Sequence, residues 1–197
     1  MLSPTFLSVI ICFAAAILEG ALVGKGARER LAQLRMPPYS PPFALWLVIG
    51  FFFYAMCLVI LRHVLGIGLV SPSQVLALVL TIMLLLANAL WSVLFFRWRD
   101  LRVSFIAFVP YAVLVAVLVI LLTRTYPLGA LLLSFYCIYL IYATRWGYHL
   151  WRLNNYTFNQ AMQRTTIQPE NYPLCVCQPL LATCLVALAP VADLVSR

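Results

Sequence analysis

Long apolar stretches dominate the chain, and short clusters of charged or turn-forming residues separate them. Apolar runs cover positions 4–24, 43–61, 75–96, 103–123 and 127–144. A helix needs roughly 20 residues to cross the hydrocarbon core of a bilayer. Each run has about that length, so the pattern predicts an all-α integral membrane bundle of five transmembrane helices.

Three details refine the predicted spans. No Lys or Arg precedes the first run, so we expect a retained helix rather than a signal peptide, with Glu19 placed near the membrane interface. Pro110 predicts a kink in the fourth span, because proline has no backbone N–H. The fifth span continues to Arg152 through basic and aromatic residues, which is typical of a membrane interface.

Composition excludes most other classes of protein. Of the 197 residues 65% are apolar and 9% are charged, against about 45–50% and 25% in soluble domains. Disorder and soluble catalysis are therefore poorly supported. The net charge of +8 does not indicate nucleic acid as a partner. In a membrane protein, Lys and Arg at helix ends indicate the orientation of the spans.

The basic residues alternate between loops. The connections after spans one and three, together with positions 145–164, hold ten Lys and Arg, whereas the connections after spans two and four hold two. Positively charged loops stay in the cytoplasm. We therefore expect the N-terminus outside and the loops after spans one, three and five in the cytoplasm.

The C-terminal part does not fit the five-span pattern clearly. We divide the chain into a transmembrane domain, 1–154, and an extension, 155–197, in which segment 172–195 is apolar but contains three prolines. That segment is long enough for a sixth span. Because the prolines interrupt a continuous helix, we expect it to lie along the membrane or to cover the bundle, although the sequence leaves its placement open.

Residues for catalysis or metal binding are scarce. The five acids all fall near predicted interfaces or in loops, at Glu19, Glu29, Asp100, Glu170 and Asp193. Cys175 and Cys177 are too close together for the usual metal-ligand spacing, and neither histidine is near them. We therefore expect no catalytic residues, no metal site and no required cofactor.

Polar and aromatic residues recur at helical spacing in two spans. The stripes are Asn88, Trp91 and Phe95 in span three and Tyr139, Tyr142, Ala143 and Trp146 in span five. These rings could pack helix against helix or form an interface belt. They could also line a pocket for a flat apolar ligand, with Asn88 as a hydrogen-bonding group.

The same segments resemble the TspO/MBR family of tryptophan-rich sensory or translocator proteins. Positions 135–154 are similar to the family's PYLAWLAFATxLNYxxWRxN, and positions 127–133 to PLAAxLL. Positions 87–96 are similar to ALNWAWSPxFF, and positions 34–42 to LxKPxWxPP. The order and spacing of the motifs match over about residues 30–154.

The chain departs from these motifs at several positions. One family tryptophan of span three is Ala89, an inner tryptophan of span five is Tyr139, and the family asparagine is Gly147. A gapped match restores the tryptophan of span two as Trp46. Tyr148 and Arg152 are candidates for the cholesterol-recognition pattern, in which a leucine position is changed.

The resemblance implies a pocket within the bundle beneath the loop after span one. It implies porphyrins, sterols and benzodiazepine-type molecules as ligands, a mitochondrial outer membrane or a bacterial envelope as location, and a homodimer. We therefore expect a membrane receptor or sensor for a planar ligand such as a porphyrin or haem-type tetrapyrrole. The alternatives are a transporter of lipid or tetrapyrrole and a structural membrane subunit. The expected lining residues are Tyr54, Asn88, Trp91, Phe95, Tyr139, Tyr142, Ala143 and Trp146.

Cysteine labelling tests the topology. Cysteines introduced at positions 30 and 99 should react with a membrane-impermeant reagent from the cytoplasmic side, and one at position 69 from the other side, because basic loops are retained inside. Labelling of positions 30 and 69 from the same side would contradict the five-span topology.

Overall fold

A computed structural model describes residues 3–98 and 100–163, with side chains as far as Asn155. The described residues form helices and connecting turns, without strands. A π-helical turn, Val93–Arg97, continues the fourth helix. The helices are α1 Pro4–Val23, α2 Ala27–Ala32, α3 Phe43–Ile67, α4 Pro72–Ser92, α5 Leu101–Ile106, α6 Phe108–Thr125 and α7 Pro127–Gln163.

Five helical segments are long and apolar enough to cross a membrane, which confirms the predicted all-α membrane bundle. The segments are Pro4–Val23, Phe43–Ile67, Pro72–Arg97, Leu101–Thr125 and Pro127–Asn155. The predicted end of span two at position 61 is too early, because α3 continues through Arg62 and His63. Polar side chains near a span's end can reach toward the interface and do not stop the helix. The stop comes at Gly68, whose φ of 90° suits glycine.

Polar caps set where several helices begin. The Ser3 side chain accepts a hydrogen bond from the Phe6 amide at 3.2 Å. At α4, Ser71 and Gln74 form a reciprocal capping box. Such bonds satisfy the free N–H groups of a first helical turn, which water cannot do within a bilayer.

The fourth span is interrupted near its proline, as predicted. Helix α5 ends at Ile106 and α6 begins at Phe108, so the regular helix breaks at Ala107. Pro110 has no N–H to donate to the carbonyl of Ile106 four residues earlier. The break therefore falls in the turn that precedes the proline.

The spans form a ring in the order α1, α3, α7, α6 and α4, because each packs on the next and α4 returns to α1. Helices α3 and α4 also touch each other across the ring. The half of the bundle around the C-terminal half of α3 is filled by apolar side chains with no exposed surface. These are Cys57, Ile60, Leu61, Leu84, Val115, Leu118, Val119, Leu122 and Leu133.

Helix α7 extends past the boundary that we place at position 154, to Gln163. Residues 164–197 lie outside the described residues, and with them the segment 172–195 and the cysteines at 175 and 177. The domain boundary and the placement of that segment stay predictions.

Gly147 gives a test of packing. A Cβ added there would lie 3.2 Å from the ring of Phe108, so restoring the family's asparagine should force this ring to move. We expect Gly147→Asn to lower the free energy of unfolding by about 1–3 kcal/mol, the usual cost of overpacking.

Denaturant or thermal unfolding in detergent measures the effect. Gly66→Asn is the matched control, because nothing lies within 4 Å of a Cβ at position 66. Equal stability of both variants would contradict the close approach of Gly147 and Phe108.

Candidate functional site

A partly open cavity of about 380 Å³ lies between α1, α3, α4 and α7, with α2 at one end. Its size falls within the range of about 300–1,000 Å³ that is usual for small-molecule sites. A smaller space of about 40 Å³ adjoins it and shares six of its lining residues. These shared residues are Trp46, Asn88, Trp91, Tyr136, Tyr139 and Trp146.

Aromatic rings form much of the cavity wall. Trp46 of α3 lies against Trp146 of α7, with ring centroids 4.9 Å apart. Trp91 stacks on Phe95 at 5.1 Å, and its indole N–H donates to the carbonyl of Ser104 at 3.2 Å. Contacts on several sides hold these rings in place. Trp46 and Trp91 are partly exposed and offer preformed flat surfaces for stacking, whereas Trp146 is 1% exposed and supports them from behind.

One carboxyl group lies in this aromatic wall. Glu19 of α1 accepts hydrogen bonds from the Tyr54 hydroxyl at 2.6 Å and the Asn88 amide at 2.9 Å, both on Oε2. The Ser92 hydroxyl donates to Oε1 at 2.6 Å. The bonds join α1 to α3 and α4. Glu19 is the only charged residue among the described residues that line the cavity.

The position of Glu19 along its helix can be compared with that of its partners. Glu19 lies four residues before the end of α1. Ser92 lies five residues before the end of the span Pro72–Arg97, and Tyr54 is 11 residues into α3. Glu19 therefore contacts α3 near its middle and the fourth-helix span near its end, and its expected place near the membrane interface stays a prediction.

The loop between α2 and α3 is bonded to α7, in part through Trp146 of the cavity wall. The Trp146 indole N–H donates to Ser40 Oγ at 2.8 Å, and the Tyr142 hydroxyl donates to the carbonyl of Tyr39 at 3.0 Å. The Asn154 amide accepts from the Arg35 N–H at 3.0 Å and donates to the Arg35 carbonyl at 3.2 Å. These bonds hold the loop at both ends.

Most of the residues expected at the site meet at the cavity. Asn88, Trp91, Phe95, Tyr139, Ala143 and Trp146 line one or both of its parts. Tyr54 and Tyr142 do not line it: the first donates a hydrogen bond to Glu19, and the second bonds the loop between α2 and α3. Whether these residues bind a ligand stays a prediction.

The candidate sterol residues lie apart from this cavity. The Arg152 guanidinium donates to the Tyr148 hydroxyl at 3.3 Å and lies 5.7 Å from the centre of its ring. Tyr148 also packs near Phe105 and Trp151. Neither Tyr148 nor Arg152 lines the cavity, so a sterol site there stays a separate prediction.

Among the lining residues of the larger cavity that the expected set lacks, four carry a polar side-chain atom, namely Glu19, Trp46, Ser92 and Tyr136. The rule that an ionisable residue within a span is a functional candidate would have found Glu19. The gapped motif match pointed to Trp46. Tyr136 continues the spacing of Tyr139, Ala143 and Trp146, so the inner face of α7 is rotated away from Tyr142.

Comparison with known proteins agrees with this architecture. Among curated protein sequences, none is significantly similar to the chain. The profile of the TspO/MBR family matches residues 8–152, which include all five spans almost completely. The chain is therefore an integral, multi-pass membrane protein that belongs to the TspO/MBR family.

Proposed function

We propose that the protein is a membrane receptor or sensor that binds a flat, largely apolar ligand, such as a tetrapyrrole, in the cavity between α1, α3, α4 and α7. The observation that carries this proposal is the cavity of about 380 Å³ with three tryptophans in its wall, Trp46, Trp91 and Trp146. Stacking on preformed rings needs no large rearrangement of the protein. Binding alone is proposed, with no chemical step.

Polar groups support the same function. Asn88 and Ser92 add hydrogen-bonding groups to a wall that is otherwise mainly apolar, a combination that orients ligands in small-molecule sites. Helix α2, which carries the exposed Arg28, contributes Ala27 and Leu31 to one end of the cavity. A basic residue on that helix suits a ligand such as protoporphyrin, whose carboxylates would lie outside the aromatic part.

The membrane, the orientation and the homodimer expected from the family stay predictions. So does binding of a sterol or a benzodiazepine-type molecule in place of a tetrapyrrole. A structural subunit would have the same aromatic packing without a ligand, and titration of the purified protein distinguishes these functions.

Loss of a cavity tryptophan should weaken the binding of protoporphyrin. We expect Trp91→Ala and Trp146→Ala each to raise the Kd about fivefold or more, equivalent to about 1 kcal/mol for one aromatic contact. Quenching of the remaining tryptophan fluorescence measures the Kd. Trp98→Ala is the control, because Trp98 is 66% exposed and does not line the cavity.

Thermal unfolding first establishes that each variant is folded, and Trp→Phe replacements at positions 91 and 146 retain a ring for comparison. Unchanged Kd values in folded Trp→Ala variants would show that these rings pack the helices together and do not bind the ligand. No saturable binding by the wild-type protein would favour the structural subunit.

We expect the loop between α2 and α3 to control ligand exchange, because it is bonded to Trp146 of the cavity wall. Asn154→Ala removes both hydrogen bonds to the backbone of Arg35, so the loop should open more often. We expect ligand dissociation about five- to tenfold faster, the effect of one or two neutral hydrogen bonds. Stopped-flow displacement of protoporphyrin measures this rate, and an unchanged rate would show that ligands leave by another route.

A further inference from the structure

The charge of the cavity is concentrated at one point. Glu19 is the only acid or base among the described lining residues, and aromatic or aliphatic side chains form most of the remaining wall. In surroundings of low dielectric constant a charge acts more strongly than in water. The carboxylate therefore dominates the electrostatic potential that a bound ligand meets.

Glu19 also has capacity for another donor. An ionised carboxylate can accept about four hydrogen bonds, and the structure gives it three, of which two are on Oε2 and one is on Oε1. The less occupied oxygen is thus Oε1. Since Glu19 belongs to the cavity lining, a donor on a ligand can reach the carboxylate.

A basic residue of α2, the helix at one end of the cavity, is bonded to the end of α1. The Arg30 guanidinium donates to the carbonyls of Val23 at 2.6 Å and Lys25 at 2.8 Å, at the end of α1. There it satisfies carbonyls that a helix terminus leaves free. No Lys, Arg or His side chain in the described part of the chain lines the cavity, so the cavity itself supplies no cation to Glu19.

We infer that Glu19 determines the ligand specificity of the cavity, and that it selects flat ligands with a protonated amine over neutral or anionic ligands of the same shape. An N–H donor with a positive charge gives the stronger, charge-assisted hydrogen bond to a carboxylate. A ligand carboxylate at the same place would be repelled, which adds discrimination. This inference rests on the proposed function, because it requires that the cavity bind a flat molecule.

Three acridines of nearly the same shape test the inference. At neutral pH 9-aminoacridine is a cation, acridine is neutral and acridine-9-carboxylate is an anion. The full chain is reconstituted in nanodiscs of phosphatidylcholine, which has no net charge, and empty nanodiscs correct for partition into lipid. Tryptophan quenching and calorimetry give the Kd values. The wild-type protein should bind the cation about tenfold more tightly than acridine, and the anion least, on the scale of one charge-assisted bond.

Substitution at Glu19 should abolish this order. Glu19→Gln keeps the size and an acceptor oxygen but removes the charge, so the Kd of 9-aminoacridine should rise about tenfold and that of acridine should change less than twofold. Glu29→Gln is the matched control, since it makes the same charge change at an exposed residue outside the lining. Tyr54→Phe, which removes one donor but retains the carboxylate, should keep the preference for the cation.

The outcomes separate this inference from the proposed function. If acridine or protoporphyrin binds saturably but the cation has no advantage, or keeps its advantage in folded Glu19→Gln, the inference is wrong and the proposed function stands. If Glu19→Gln lowers the stability of the protein but leaves the Kd values unchanged, Glu19 only holds helices together and the inference is wrong. If neither protoporphyrin nor any acridine binds the wild-type protein, both are wrong. If Glu19→Gln does not fold, the order of the wild-type affinities and the preference of Tyr54→Phe for the cation still test the inference.

Discussion

The hydrogen bonds of one carboxyl group join the first helix to two of its neighbours, and the wall of the cavity is built around them. Helix α1 buries only Ser8 and Cys12. Lipid tails are as apolar as its side chains, so close packing and hydrogen bonds between helices, rather than apolar burial, stabilise its position. Glu19 takes donors from α3 and α4, and these bonds favour one rotation of α1 against both helices.

The two halves of the bundle are filled differently. Between α1, α3, α4 and α7, with α2 at one end, a cavity of about 380 Å³ remains. Around the C-terminal half of α3, side chains such as Ile60 and Leu118 have no exposed surface. Large aromatic rings and a hydrogen-bonded carboxyl group border the cavity, whereas aliphatic side chains fill the other half.

Sequence patterns were sufficient for the spans but only partly for the site. Hydropathy located all five helices, because the length of an apolar run depends on the bilayer and not on tertiary contacts. Helical spacing and the family motifs together identified Asn88, Trp91 and Trp146. The three donors to Glu19 could not be read from the sequence, since contacts between α1, α3 and α4 arise only in the packed bundle. Tyr142 was misplaced for a similar reason: its neighbours on α7 share a face, but packing decides the centre of that face.

The departures from the family motifs affect the two parts of the bundle differently. Ala89, which replaces a family tryptophan, is buried at 2% exposure and does not line the cavity, and Gly147 accommodates Phe108. These changes belong to helix packing. Tyr139, in contrast, replaces a family tryptophan within the wall, where a ring remains and a hydroxyl group is added. The wall therefore keeps its aromatic surface while its polarity increases. Together with Glu19, this change leads us to expect that the polarity of a ligand, rather than additional apolar area, governs what the cavity distinguishes.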